Sequence, residues 1–144
     1  MEKAFIMIKP DGMKKRLAGE CLKRFEKSGL IIKKIQIHQV SLEEARKLYF
    51  HIKVKYPKIY LPLLKYIRET PVLQAVLEGK NATEKVRKIC GPTNPAKAKK
   101  GTIRGDYSTG DMAKQYERGE ETRNIIHSSD SAESAKKEIK IFFK

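Results

Sequence analysis

Near the start of the chain, Ala4-Phe5-Ile6-Met7-Ile8 is apolar without a break. A strand with one wet face would alternate, so an unbroken run of this length fits a central strand covered on both faces. Lys9-Pro10-Asp11-Gly12 ends it. Pro10 brings no ladder donor and Gly12 tolerates a positive φ, so the strand stops with the Lys9 ammonium at its C-terminal edge. The rest of the chain has to arrange itself around this strand.

Ala18, Cys21, Leu22 and Phe25 follow at helical spacing, with Gly29 as a C-cap, which predicts a helix over Leu17 to Ser28. From Leu30 to Val40 the pattern turns β-branched, with Ile35 and Ile37 alternating against Lys34, Gln36 and His38, as in a half-covered strand. Ser41 and Glu44 have capping-box spacing, and Leu42, Ala45, Leu48, Tyr49 and Ile52 continue as an amphipathic helix. Pro57 and Pro62 bracket a break before a second helix over Leu61 to Ile67, so the two helices make a hairpin. Val72 to Leu77 is a third strand. Asn81, with Glu84 three residues on, caps a helix that turns Val86, Ile89 and Cys90 inward and Lys85, Arg87 and Lys88 outward.

Gly101-Thr102-Ile103-Arg104-Gly105-Asp106 reads as a loop with Arg104 between glycines, and Tyr107 to Thr122 is polar and glycine-punctuated with no strand pattern. Ile125 and Ile126 mark the end of a fourth, buried strand, and His127 sits where it stops. Ser128 to Ser131 then suit a helix start, with Asp130 and Glu133 at capping-box spacing. Ala132, Ala135, Ile139 and Phe142 keep helical intervals to the end. The order is strand, helix, strand, helical hairpin, strand, helix, strand, helix. An α+β domain of the ferredoxin-like βαββαβ type accommodates it: a four-stranded antiparallel sheet covered by helices on one side, with the hairpin between strands 2 and 3. A length of 144 residues suits one domain over 1–144.

The net charge of +15, from 32 Lys and Arg against 17 Asp and Glu, calls for anionic partners or a lysine-rich solvated surface. Cys21 and Cys90 form no C-x-x-C, so neither a zinc site nor a disulfide framework is expected, and two free thiols suit a reducing compartment. No apolar stretch is long enough to span a bilayer, so no membrane association and a cytoplasmic location are expected.

A histidine at a strand end facing a helix N-terminus is placed to meet an anion, and its imidazole is a nucleophile or base near neutral pH. Arg123 and Asn124 add a cation and an amide beside it. Phosphoryl transfer through His127 is one reading of this arrangement, and an ordinary hydrogen-bonded histidine is the other. No Gly-x-x-x-x-Gly-Lys-Ser/Thr run is present, so phosphates have to be held by discrete side chains.

The run Arg123-Asn124-Ile125-Ile126-His127-Ser128-Ser129-Asp130-Ser131 closely resembles the active-site segment of nucleoside diphosphate kinases, with Ser128 where that family has Gly or Ala. Ile8-Lys9-Pro10-Asp11-Gly12, Gly91-Pro92-Thr93-Asn94-Pro95 and Gly101 to Asp106 resemble three further family blocks in the same order, with Pro92 replacing an acidic residue. The resemblance runs from Ala4 to Phe142. It implies transfer of the terminal phosphoryl group of a nucleoside triphosphate to a nucleoside diphosphate through a phosphohistidine on His127, with ping-pong kinetics. It implies that Glu138 orients the imidazole, and that Ser129 bonds near the phosphohistidine or caps the helix. Lys9, Tyr49, Arg87, Thr93, Arg104 and Asn124 become phosphate ligands, and Mg²⁺ is held by the nucleotide phosphates rather than by the protein. The segment Tyr56 to Pro62 is longer than in the family, so Ile59 or Tyr60 takes the base-stacking place. Tyr107 to Thr122 resembles the insertion of archaeal relatives. A homo-oligomer is implied, a hexamer before a tetramer. The competing class is a basic nucleic-acid-binding protein on the same scaffold, motivated by the charge although RNA-binding aromatic runs are lacking.

Overall fold

The computed structural model of the protein describes residues 1–143. Strand β1 (Glu2–Ile8) is central, as its unbroken apolar run requires. It pairs antiparallel with β3 (Val72–Gly79) on one side and β4 (Ile126–Ser128) on the other, and β2 (Ile31–His38) pairs antiparallel with the far edge of β3. The order β2-β3-β1-β4 is that of the ferredoxin-like βαββαβ sheet.

Helices cover both faces, not one. Ala4, Ile6 and Ile8 of β1 meet Cys21 and Phe25 of α2 (Ala18–Lys27) and Val86 and Cys90 of α6 (Ala82–Cys90). Phe5 and Met7 point the other way. They meet Ala45 and Leu48 of α3 (Leu42–Leu48), Leu63, Leu64 and Ile67 of α5 (Pro57–Ile67), and Phe142 of α9 (Ala132–Phe142). The amphipathic hairpin buries its apolar stripe against this second face, which a one-sided arrangement would leave wet.

Several local expectations are corrected. Gly12 has no positive φ and lies inside a short helix α1 (Pro10–Lys14), with Pro10 at its start, where a missing N–H costs nothing. The helical hairpin contains an extra element, α4 (Phe50–Lys55), and α5 begins at Pro57 and carries Pro62 within it. The capping box of Ser41 and Glu44 forms as expected, whereas Asn81 sits left-handed at φ 53° and makes no side-chain cap. In β2, Ile32 packs on the core but Ile35 and Ile37 do not, standing at 51% and 61% exposure. The inward places go to Gln36, whose amide donates to Gln74 Oε1 at 2.7 Å, and His38, bonded to Glu44 at 2.8 Å. The segment 101–107 is not an open loop: α7 (Ile103–Tyr107) is capped by Thr102, and a further helix α8 (Met112–Glu117) is capped by Asp111.

Candidate active site

The fourth strand is only three residues long, and the antiparallel register sets His127 opposite Met7 of the central strand. His127 therefore lies within β4, not beyond its end. Ile125 stands outside the strand, left-handed at φ 73°, and the N–H of Ile126 donates to the carbonyl of Asn124 at 2.8 Å, closing a three-residue γ-turn. Helix α9 starts on Ser131, whose hydroxyl accepts from the N–H of Ser134 at 3.0 Å, so the cap is Ser131 and not Asp130 with Glu133.

Two turns into α9, Glu138 reaches back to the imidazole. Its Oε1 lies 2.7 Å from His127 Nε2, with both side chains largely buried. A carboxylate accepts only, so it selects the Nε2–H tautomer. That leaves a lone pair on Nδ1, which has no partner among the described residues. The Tyr49 ring stands edge-on to the imidazole, centroids 6.4 Å apart, and Phe5 packs at 6.0 Å. Tyr49 is buried with its hydroxyl unpartnered among the described residues, and burial, reinforced by the Glu138 charge, holds its pKa well above the usual phenol value. A neutral buried donor without an acceptor is suited to an incoming anion.

Three of the expected phosphate ligands are joined by hydrogen bonds. Lys9 Nζ donates to Asn124 Oδ1 at 2.8 Å, and Asn124 Nδ2 donates to the Thr93 carbonyl at 2.8 Å. Burial, with the Arg104 charge next, pushes the Lys9 ammonium down to about 8 against some support from Asp11. Arg104 is buried at 6% exposure, and its guanidinium donates to the carbonyls of Asn124, Gly91 and Ile126 at 3.3, 2.7 and 2.5 Å. It braces the loop ahead of His127 and keeps two of its five donors over. Arg87 is exposed and makes no ion pair among the described residues, and Thr93 is exposed beside it in the next loop.

Other expected residues fall elsewhere. Ser129 is buried at 1% exposure, and its hydroxyl accepts from the Phe5 N–H at 3.1 Å. It therefore latches β1 to the end of β4, neither capping α9 nor facing the imidazole. Arg123 turns away from the site, pairing with Glu121 at 2.9 Å and lying 4.7 Å over the Tyr66 ring. Ile59 is 8% exposed and has no open face to offer a base, which leaves Tyr60, half-buried with Lys53 5.9 Å from its ring. No cluster of three or more His, Cys, Asp or Glu able to hold a metal occurs among the described residues. The donor set around His127 is cationic and amide-rich, so it suits a Mg²⁺ that arrives on phosphates and not one caged by side chains.

Sequence reasoning missed Asp11 and Tyr66. Asp11 Oδ2 accepts from the Ile125 N–H at 3.0 Å, and the Tyr66 hydroxyl bonds its other oxygen. A lone Asp in a Pro-Asp-Gly turn and a Tyr on an amphipathic helix carry no signal of a meeting across the fold.

The sequence matches the family described as nucleoside diphosphate kinase over residues 2–144. It is 44% identical over 143 residues to a nucleoside diphosphate kinase of Methanothermobacter thermautotrophicus, covering 99% of this chain and 87% of that one. Against one from Hyperthermus butylicus the identity is 43% over 143 residues, covering 99% and 92%. Among solved structures, a transition-state mimic of the Borrelia burgdorferi nucleoside-diphosphate kinase with bound vanadate and ADP superposes with a TM-score of 0.93 at 36% identity, covering 99% and 87%. An NDP kinase from Pyrobaculum aerophilum superposes at 0.89 with 32% identity, covering 99% and 96%.

Proposed function

We propose that this chain, which belongs to the nucleoside diphosphate kinase family, carries the phosphoryl group it transfers on Nδ1 of His127. The chain is a phosphotransferase of that activity, passing the terminal phosphoryl group of a nucleoside triphosphate to a nucleoside diphosphate. The observation that carries the histidine step is the 2.7 Å contact of Nε2 with Glu138, which occupies one ring nitrogen and frees the other.

In the first half-reaction the Nδ1 lone pair attacks the γ-phosphorus, the bond to the bridging oxygen breaks, and the nucleoside diphosphate leaves with that electron pair. Glu138 holds the Nε2 proton and stabilises the ring as positive charge develops on it. In the second, a terminal oxygen of another diphosphate attacks the same phosphorus and the N–P bond breaks, returning His127 to its starting state. Because the transition state is loose, catalysis consists mostly of positioning and charge stabilisation. Lys9 and Arg87 supply positive charge to the phosphates, Tyr49, Thr93 and Asn124 supply neutral donors, and Arg104 adds its spare N–H groups. Mg²⁺ bound to the phosphates supplies further charge neutralisation. Tyr60 offers its ring to the base. The Borrelia burgdorferi relative, described as a transition-state mimic with bound vanadate and ADP, supports the reading of this fold as one that takes a nucleotide for phosphoryl transfer.

The same reading takes residues 1–144 as one domain working in the cytoplasm as a homo-oligomer. The outward Ile31, Ile35 and Ile37 on the sheet's edge strand support association through apolar contact. Among the described residues no helix is long and apolar enough to cross a membrane. Initial-velocity kinetics test the two-step scheme: double-reciprocal plots with both nucleotides varied are expected to be parallel, and converging lines would mean direct transfer in a ternary complex.

A further inference from the structure

The turn that delivers His127 is held in a strained state by the Lys9 main chain together with Asp11, Tyr66 and Gly12, three residues that touch no phosphate in the scheme above. Ile125 is β-branched, fully buried and left-handed at φ 73°, a conformation that such a side chain resists. Both of its peptide groups are gripped by the segment after β1. The Lys9 N–H donates to the Ile125 carbonyl at 2.8 Å, and Asp11 Oδ2 accepts the Ile125 N–H at 3.0 Å. Asp11 is itself fixed by Tyr66, whose hydroxyl donates to Oδ1 and accepts from the Asp11 N–H at 3.1 Å. Arg123 lies over the Tyr66 ring and closes the assembly from outside. Gly12 belongs to the same grip, since a Cβ there would lie 2.8 Å from the Ile125 carbonyl oxygen.

We propose that Asp11 is a positioning residue: anchored by the Tyr66 hydroxyl, its carboxylate locks Ile125 in the left-handed turn and so fixes Asn124 and His127 relative to Lys9. Asn124 opens the turn and bonds Lys9 Nζ, while His127 follows Ile125 by two residues. Relaxation of Ile125 to negative φ therefore swings the amide and the imidazole apart. The inference rests on the reading of His127 as the phosphoryl carrier.

The test is the single-turnover rate of His127 phosphorylation by ATP and Mg²⁺, in wild type, Asp11→Ala, Tyr66→Phe, Ile125→Gly and the Asp11→Ala/Ile125→Gly double variant. Melting curves fix a temperature at which each is folded. Strain of this kind shifts populations on the order of tenfold, so Asp11→Ala is expected to slow phosphorylation by about tenfold or more. Tyr66→Phe is expected to lose about two- to fivefold, because the carboxylate keeps its bond to Ile125 but not its anchor. Glycine adopts positive φ freely, so in the Ile125→Gly background the further loss on removing Asp11 is expected to shrink to about twofold or less. That rescue separates positioning from general destabilisation. An Asp11→Ala rate equal to wild type, or an equal loss in both backgrounds, overturns the proposal. Should Asp11→Ala not fold, Tyr66→Phe alone and combined with Ile125→Gly is read in the same way. Absence of phosphate on wild-type His127 overturns the carrier reading itself, and is distinguishable because it is seen before any substitution.

Discussion

Replacing Glu138 with alanine removes the carboxylate that selects the imidazole tautomer. The Nε2···Oε1 contact is 2.7 Å, and the two side chains are only 16% and 14% exposed, so solvent screens it weakly. A hydrogen bond to a charged partner contributes about 1.5–3 kcal/mol. At about 1.4 kcal/mol per decade of rate, its loss corresponds to a roughly 10- to 150-fold slower transfer. The same bond serves attack on the triphosphate and release to the diphosphate, so both half-reactions are expected to slow together, with KM for either nucleotide little changed. Glu138→Gln keeps an acceptor but not the charge and is expected to lose about tenfold or less. Rapid-quench measurement of phosphoenzyme formation and discharge reads both steps. A folded Glu138→Ala variant within twofold of wild type in both would refute the reasoning that the carboxylate prepares Nδ1.

Other substitutions and conditions test neighbouring parts of the account. Because burial lowers the Lys9 pKa to about 8, kcat/KM is expected to fall as pH rises through that value and the ammonium is lost. Stability responds with the opposite sign: between about 8 and the ordinary 10.5 the unfolded chain holds the Lys9 proton and the folded chain does not, so the Lys9 contribution to stability rises with pH in that window. Urea unfolding at several pH values, compared with Lys9→Met, checks the second effect. Arg104→Met strips donors from three carbonyls and is expected to destabilise by on the order of 3 kcal/mol, read from the denaturation midpoint. Gly12→Ala forces a Cβ against Ile125 and is expected to cost about 1–3 kcal/mol and to slow phosphorylation. Chelation of Mg²⁺ is expected to stop transfer while leaving the melting temperature of the nucleotide-free protein unchanged, since no side-chain cage for the ion occurs among the described residues.

Where local chemistry and global packing agree, the chain could be read directly. The unbroken Ala4 to Ile8 run specifies a strand covered on both faces, and Ser41 with Glu44 caps a helix as its spacing requires. Pattern failed where a residue's role depends on something distant. Ile35 and Ile37 of β2 stand exposed while Gln36 and His38 find partners on Gln74 and Glu44, which no period-two count foresees. Asp130 has the spacing of a cap, but Ser131 lies one residue closer to the helix and takes the bond. Within the site, the order of the four motifs pointed to His127 and Lys9, and the spacing from His127 in the resembled family pointed to Glu138. Only folding brings Ser129 to the Phe5 backbone, Arg104 among carbonyls, and Asp11 to Ile125. These are contacts between segments more than twenty residues apart or to main-chain atoms, and side-chain identity alone does not encode them. The polar stretch from Tyr107 to Thr122 hid α8 because its anchors lie outside it: Asn94 accepts from the Met112 N–H, and Lys58 donates to the Glu117 carbonyl.

The most direct measurement of the central claim is intact-protein mass after brief exposure to ATP and Mg²⁺, beside His127→Ala, followed by a second nucleoside diphosphate. The account predicts gain of a single acid-labile phosphoryl group in wild type, none in the variant, and its discharge onto the added diphosphate. Efficient nucleotide-to-nucleotide transfer by His127→Ala, or by wild type that never gains the mass, would contradict it.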